Sequence, residues 1–319
     1  MLLSETVAFL NPSQGGTFVD CTLGLGGHTA ALLEAGAGRV IGLDRDPHAI
    51  DIARARLSSW GDRVLLVHAD YRALPAVLAE HGVGPIDGAL ADLGVSSMQL
   101  DDASRGMSFR AEGPLDMRMD GSAGETALDL IDRLDDDGLA DVIYRYGEER
   151  RSRRVARCIK QARAQGELHT SLDLRRAVVR AVGPARIGGV DPATRTFQGL
   201  RIAVNGELDE LEQLLAIAPE VVKAGGIVAI IAFHSLEDRL VKRALRDRAL
   251  WRPLTKKPQV PSDTESNENP RARSAKLRAA ERLDGDAAAP DAGEERDSSP
   301  GSDPGGRWYA LGDGEEAQA

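Results

Sequence analysis

The sequence has few cysteines and no long apolar run. The first feature argues against a disulfide-rich or cysteine-ligated metal protein, and the second argues against a membrane-spanning protein. Its two cysteines, Cys21 and Cys158, are too few and too far apart for a disulfide framework or a Cys-x-x-Cys metal site. We therefore expect reduced thiols, no metal centre and a cytoplasmic location. The longest apolar run, residues 227–233, is far short of the ~20 residues of a membrane helix, and the N-terminus lacks a signal-peptide pattern. The sequence thus predicts no membrane partner.

Basic residues are in the minority, with 40 Lys and Arg against 50 Asp and Glu and a formal net charge of −10. Evenly spread, this charge would argue against a nucleic-acid partner, but a local basic face can override the total. One part of the chain is strongly basic, and its members are Arg145, Arg150, Arg151, Arg153, Arg154, Arg157, Lys160 and Arg163. This run is either a solvated helix face or a phosphate-binding surface, and the sequence leaves both open.

A glycine-rich stretch, TFVDCTLGLGGHTA at residues 17–30, has the pattern of a strand, a tight turn and a helix, and the other predicted elements are arranged around it. A short apolar run reads as a strand, Gly24, Gly26 and Gly27 permit a tight turn, and a helix-forming segment follows. Such a turn presents backbone N–H groups and a helix N-terminus to a nucleotide-like ligand. The dinucleotide fingerprint fails because its third glycine would fall at Thr29. An adenosine cofactor without a pyrophosphate fits better, although a turn that serves only chain reversal stays an alternative.

Further apolar runs predict a Rossmann-like α/β sheet. They are residues 39–43, 64–68 and 86–93, then 226–233, with two short closing strands at 251–257 and 274–280. Because adjacent parallel strands share one crevice at their carboxyl ends, we expect Asp20, Asp44, Asp70 and Asp92 to converge there. Asp44 lies roughly 20 residues beyond the glycine turn, where such folds hold a ribose.

The strand series is interrupted after the fourth strand, and this interruption predicts the domain organisation. A sheet domain would comprise residues 1–102 and 200–283, with an inserted helical domain at 103–199. Residues 284–319 are mostly Ala, Asp, Glu, Gly, Pro and Ser, a composition that predicts a mostly disordered acidic tail.

Several long motifs of the chain resemble the MraW/RsmH family. They include DCTLGLGGHT (20–29), LDRDPHAI (43–50), DLGVSS (92–97), YGEERRSRRVAR (146–157), PATRTFQGLRIAVNGEL (192–208) and FHSLEDRLVKR (233–243). The resemblance runs from about Leu2 to Leu283 and implies a class I methyltransferase sheet with an inserted helical domain. It also implies S-adenosylmethionine-dependent methylation of N4 of a cytosine in the decoding region of small-subunit ribosomal RNA.

The resemblance implies a set of site residues, carried over position by position. The expected cofactor contacts are Gly26, Gly27, His28, Asp44, Tyr71, Asp92 and Gln99. The candidate RNA contacts Arg150, Arg153, Arg154 and Arg157 are not part of this set; they come from the basic run described above. The expected partner is ribosomal RNA in an assembled or nearly assembled small subunit, and the oligomeric state, a homodimer included, is left open.

The chemistry adds one hypothesis about Asp92. The cytosine amine is a poor nucleophile, so an acceptor that holds one N–H and orients the nitrogen would help, and Asp92 is placed for that. The base must also leave its stack, for which Phe109 and Phe197 are candidates, although both rings also suit a core. Two other functions fit the sequence less well. An NAD-dependent oxidoreductase conflicts with the missing third glycine, and a ribosome-assembly factor that binds RNA without catalysis conflicts with the complete set of polar residues.

Overall fold

The computed structural model describes residues 1–184 and 191–284. Six residues of the predicted insertion, 185–190, and the predicted acidic tail beyond Asp284 lie outside the described residues. Within the described ranges, no helix combines the length and apolar character that crossing a membrane requires.

A seven-stranded sheet forms the centre of the fold, with the order β3-β2-β1-β4-β5-β7-β6. Its strands are β1 Thr17–Asp20, β2 Arg39–Asp44, β3 Val64–His68, β4 Ile86–Asp92, β5 Val222–Ala232, β6 Trp251–Pro253 and β7 Lys276–Arg282. The first five strands are parallel, whereas β7 is antiparallel to both β5 and β6. The predicted class I methyltransferase sheet is confirmed, and all seven predicted strands are present.

Apolar residues on both faces explain why these segments form central strands. Val19, Ile41 and Leu43 are buried on one face of the sheet, while Phe18 and Val40 are buried in the cluster on the other. Parallel strands covered on both sides need such continuous apolar runs. Because β1 pairs with both β2 and β4, the strand order reverses beside β1. A ligand crevice is expected at the carboxyl ends of the strands at this point.

Thirteen helices accompany the sheet in the described part of the chain. Those before the insertion are α1 Leu3–Leu10, α2 Gly27–Glu34, α3 Pro47–Leu57, α4 Leu74–Glu80 and α5 Ser97–Asp101. The insertion contributes α6 Ala127–Arg133, α7 Asp136–Gly147, α8 Ser152–Ala164, α9 Ser171–Val182 and α10 Thr194–Asn205. The chain returns to the sheet through α11 Glu207–Val221 and continues with α12 Ser235–Ala244 and α13 Asp263–Glu268.

The inserted helices have a hydrophobic core of their own. Ile131, Leu139, Ile143, Ile159 and Leu174 are buried together in a cluster that draws on residues between 115 and 200. This separate core supports the predicted division into a sheet domain and an inserted domain, which stays a prediction. The predicted boundary between residues 199 and 200 falls inside α10, whose helix continues to Asn205.

The contact between α7 and α10 is close enough to require glycine. A Cβ atom added at Gly147 would lie 2.3 Å from the carbonyl oxygen of Arg195, a backbone atom that cannot move aside easily. We therefore expect Gly147→Ala to lower the free energy of unfolding by about 1–3 kcal/mol, the usual cost of overpacking. Thermal denaturation would measure this loss. Gly84→Ala is the matched control, because a Cβ there meets no atom of the described chain within 4 Å. Equal melting temperatures for the two variants would contradict the close-packing argument.

Candidate functional site

A cavity of about 320 Å³ lies at the carboxyl edge of the sheet, where the crevice was expected. Its walls come from the loops after β1, β2, β3 and β4 and from the first turns of α11. Six of the seven predicted cofactor residues line it, namely Gly27, His28, Asp44, Tyr71, Asp92 and Gln99. Three of the four strand-end carboxylates, those of Asp44, Asp70 and Asp92, also line it. The cavity is within the size range of small-ligand sites.

The turn between β1 and α2 depends on its glycines. Gly24 and Gly26 have φ values of 50° and 74°, in the region that residues with a Cβ rarely occupy. Gly26 is not among the residues that line the cavity, and a Cβ on it would lie 2.9 Å from Cδ1 of Leu57. Gly26 therefore allows α2 to start close to α3, while Gly24, Gly27 and His28 face the cavity.

Asp44, at the end of β2, fixes the position of this turn. One carboxylate oxygen accepts the Gly24 backbone N–H at 2.7 Å, and the other accepts the Asp46 N–H at 2.8 Å. Burial raises the pKa of the Asp44 carboxyl, and these two hydrogen bonds oppose the rise. The predicted ribose-binding residue thus lines the cavity and also holds the glycine turn against β2.

Asp92, at the end of β4, carries an acceptor atom without a partner. Its Oδ1 is buried and makes no hydrogen bond within residues 1–184 and 191–284. Its Oδ2 lies 3.9 Å from Nδ1 of His28, whose Nε2 is 3.1 Å from the Met1 carbonyl oxygen. Burial raises the pKa of the Asp92 carboxyl, and the nearby N-terminal ammonium and His28 lower it. A buried acceptor of this kind is costly unless a ligand satisfies it.

Asp20 lies behind the cavity, fully buried, and accepts hydrogen bonds from the Thr29 hydroxyl at 2.8 Å and the Thr22 backbone N–H at 3.2 Å. Burial raises the pKa of its carboxyl to about 6. Its charge therefore contributes to the field at the site without direct contact with a ligand in the cavity.

Tyr71 lines the cavity with a buried ring, whereas Gln99 lines it with a side chain that is already hydrogen-bonded. The Tyr71 ring is buried, and burial raises the pKa of its hydroxyl. The Gln99 side chain already has partners at both ends: its Nε2 donates to Asp46 at 2.9 Å and its Oε1 accepts the Ser96 N–H at 3.0 Å. In this structure Gln99 therefore braces α5 against the start of α3.

Several lining residues were not predicted from the sequence. Glu207 and Glu210 enter the cavity from α11, and Glu237 enters from α12. Glu210 forms an ion pair with Arg45, which follows β2. The acidic start of α11, ELDELE at residues 207–212, is the feature of the sequence from which Glu207 and Glu210 could have been proposed as site residues. The position of this segment at the cavity depends on how the chain returns from the insertion to the sheet, and the sequence does not reveal that path.

Two largely buried pairs of a base and an acid, Arg201 with Glu207 and His234 with Glu237, separate this cavity from a second one. Nε and Nη2 of Arg201 donate to both oxygens of Glu207 at 2.7 and 2.8 Å, and Nε2 of His234 lies 3.2 Å from Glu237. In each pair the acid lines the first cavity and the base lines the second. Glu207, His234 and Glu237 are close enough to hold a metal ion. However, Arg201 already occupies both Glu207 oxygens, and Glu237 accepts the Phe233 N–H, so we assign no metal here.

The second cavity measures about 820 Å³ and meets the first at Gly94, Val95 and Phe233. Phe109 and Phe197, the two predicted wedge candidates, line it. Their rings pack edge to face, with centroids 5.1 Å apart, and both belong to or pack on the core of the inserted helices. Each ring therefore packs with the core of the inserted helices and also lines the second cavity.

The predicted basic run lies on and around α8, and its members fall into three groups. Arg151 and Lys160 donate to backbone carbonyl oxygens, Arg151 to that of Val182 and Lys160 to those of Ile131 and Leu134. Arg145 and Arg163 form ion pairs with Asp141 and Asp132. Arg150, Arg153, Arg154 and Arg157 are exposed, and no carboxylate of the described chain lies within ion-pair distance of them. These four are the predicted RNA contacts, and their charges are available to a partner.

Comparison with known proteins gives consistent results. A family model described as the MraW methylase family matches residues 1–283. A protein of Sorangium cellulosum named Ribosomal RNA small subunit methyltransferase H is 68% identical over 281 residues, covering 88% of this chain and 89% of that protein. Proteins with the same name from Synechococcus sp. (strain JA-3-3Ab) and Deinococcus deserti are 53% and 49% identical. They cover 88% and 89% of this chain and 94% and 92% of their own lengths.

We expect Asp44→Ala to weaken S-adenosylmethionine binding, because the variant loses a charged acceptor at the cavity wall and frees the Gly24 N–H. Loss of such a bond is worth roughly 1.5–3 kcal/mol, or about tenfold to a hundredfold in Kd. Isothermal titration calorimetry would measure the change. Asp51→Ala is the control, since Asp51 lies exposed on α3 and pairs only with Arg54 in the described structure. Unchanged affinity in a folded Asp44→Ala protein would refute the assignment.

Proposed function

Because this chain belongs to the MraW methylase family, we propose that it transfers a methyl group from S-adenosylmethionine to N4 of a cytosine in the decoding region of small-subunit ribosomal RNA. The observation that carries this proposal is the meeting of the two cavities. The glycine turn and Asp44 mark the first as a nucleoside-type site, and it joins the second, aromatic-lined cavity beside Asp92.

The residues of the first cavity suit S-adenosylmethionine. Asp44 would accept the ribose hydroxyls, the Tyr71 ring would contact the adenine, and Gly27 and His28 would contact the cofactor at the start of α2. The unpartnered Oδ1 of Asp92 supports the fit, since it needs a donor from a ligand. The carboxylates around the cavity also suit a cofactor that carries positive charge.

Asp92 would serve the acceptor base as well. When bound, the cofactor supplies an electrophilic methyl group. Oδ1 of Asp92 would accept one N–H of the cytosine amine and later the proton that the methylated nitrogen loses, so that no further base is required. The raised pKa of Asp92 favours this second step, because burial makes its carboxylate a better proton acceptor.

The second cavity would hold the cytosine that leaves its stack. Phe109, Phe197 and Phe233 offer apolar ring surface there, as a flipped base requires. Arg150, Arg153, Arg154 and Arg157 would contact the RNA backbone, because phosphates bind cations that lack internal partners. Backbone and shape recognition of this kind suits a base presented by an assembled small subunit. The oligomeric state of the enzyme is left open.

The test uses purified protein, labelled S-adenosylmethionine and small subunits from a strain that lacks the modification. We expect one labelled N4-methylcytidine in the decoding region and little labelling of a short oligonucleotide of the same sequence. Binding to subunits without any label transfer would favour the alternative, an assembly factor without catalysis. Label at another position would refute the proposed target.

For Asp92→Asn we expect turnover at saturating cofactor to fall on the order of tenfold to a hundredfold, because the amide cannot take up the proton. Cofactor affinity should fall less. Steady-state kinetics and calorimetry separate the two effects. Asp87→Asn, on the same strand but away from both cavities, is the control. If affinity collapses while saturated turnover stays normal, Asp92 is a cofactor ligand only, and the amine acceptor must be sought among the carbonyls of residues 93–97.

Changing Arg150, Arg153 and Arg157 to Gln together should raise the KM for small subunits and flatten its salt dependence, because fewer phosphates are neutralised. Cofactor affinity should not change. The matched control replaces Arg133, Arg163 and Arg176, three arginines of the same insertion whose charges are paired with Glu125, Asp132 and Asp173. An identical salt slope in the two triple variants would support a merely solvated helix face.

A further inference from the structure

A third concave surface lies on the side of the inserted helices that meets α12. It measures about 870 Å³, and its walls include Tyr144, Glu148, Arg150, Arg195 and Arg239. We call it the α7 groove, after the helix that carries Tyr144. Among the residues that the structure describes, it shares none with the first cavity and only Asp191 with the second.

Tyr144 gives this groove an exposed aromatic surface. Its side chain is 59% exposed, in a protein with only four tyrosines and a total aromatic content of 4%. The neighbouring residues of α7, Leu139 and Ile143, are buried in the core of the insertion, so the helix does not need Tyr144 for packing. An open ring of this kind can accept the face of a base.

The unpaired charges of the groove are mostly positive, because among the described residues Arg150, Arg151 and Arg195 lack an ion pair and outnumber the one unpaired acid, Glu149. Glu148 is occupied, because its carboxylate accepts the Ser235 hydroxyl and pairs with Arg239. Arg150 and Arg195 are exposed, and within the described ranges neither has a carboxylate at ion-pair distance. Two guanidinium groups beside an exposed ring are therefore available to one ligand.

The groove continues from the cavity proposed for the target base. Asp191 lines both, and successive residues of α10 face one or the other: Thr194 and Phe197 line the second cavity, while Arg195 lines the groove. The start of α12 divides in the same way, with His234 in the cavity and Leu236 in the groove. A strand that leaves the cavity past Asp191 would enter the groove.

We propose that the α7 groove binds the single-stranded RNA next to the target cytosine, with one base stacked on Tyr144 and its phosphates held by Arg150 and Arg195. This inference rests on the proposed function, since it assumes that the second cavity receives the target base. Stacking on an aromatic ring beside cations is the usual way of binding single strands without reading their sequence. The groove would thus fix the strand that the flipped base leaves.

The test compares Tyr144→Ala, Tyr144→Phe and Arg195→Gln. Two binding probes are used, small subunits from the unmodified strain and protein-free small-subunit RNA, and methyl transfer is followed on the same subunits. We expect Tyr144→Ala to raise Kd for both probes roughly tenfold, and Tyr144→Phe to bind nearly as wild type, because the phenyl ring still stacks. Arg195→Gln should weaken binding and lower the salt slope by about one. Arg54→Gln, exposed on α3 and outside all three concave surfaces, is the matched control.

Each outcome decides the inference. Binding equal to wild type in both Tyr144→Ala and Arg195→Gln overturns it. Weaker binding to subunits with unchanged binding to protein-free RNA also overturns it, because the groove would then contact a ribosomal protein. If the wild-type protein binds both probes but transfers no methyl group, the proposed function fails, and the groove is still judged by the two Kd values.

Discussion

The burial of carboxylates at the carboxyl edge of the sheet is the constraint on which the site depends. Burial raises the pKa of Asp20, Asp44 and Asp92, since each charge has lost part of its water. A raised pKa means that the folded chain binds the proton more tightly than the unfolded chain. For Asp20 the cost to folding is therefore fully present above pH 6 and absent below its ordinary pKa of 3.8. For Asp44, hydrogen bonds from the backbone N–H groups of Gly24 and Asp46 reduce the corresponding cost. The bond from Gly24 also fixes the position of the glycine turn.

The position of the insertion explains how one sheet holds two cavities. The chain leaves the sheet after β4, directly beyond Asp92, and returns through α11, whose first turn carries Glu207. Arg201, one turn before the end of α10, binds Glu207 across the junction. This ion pair joins the insertion to the wall of the first cavity, so the second cavity lies where the two parts of the chain meet. Removing either partner of such a pair would leave an uncompensated buried charge and destabilise this wall.

The sequence predicted the sheet well because its strands are apolar runs that end in acids. Strand-end residues such as Asp44 and Asp92 could be placed at one edge from the topology alone. The sequence did not reveal that Gly26 faces Leu57 and not the cavity, or that Gln99 is used at both ends. Those facts depend on the packing of α2 on α3 and of α5 on α3, which periodicity does not encode. Glu207 and Glu237 were missed for a similar reason, since their neighbours come from segments distant along the chain.

The formal charge of −10 and an RNA partner are compatible because of how the charges are paired. Within the insertion, Glu125, Asp132, Asp141, Asp173 and Glu167 each pair with an arginine. Exposed pairs of this kind add little stability, but each one cancels a negative charge that would repel phosphate. The arginines that remain free in the described insertion include Arg150, Arg153 and Arg195. Since screening limits the reach of distant acids to about 10 Å, a phosphate at this face responds to the unpaired arginines more than to the net charge of the chain.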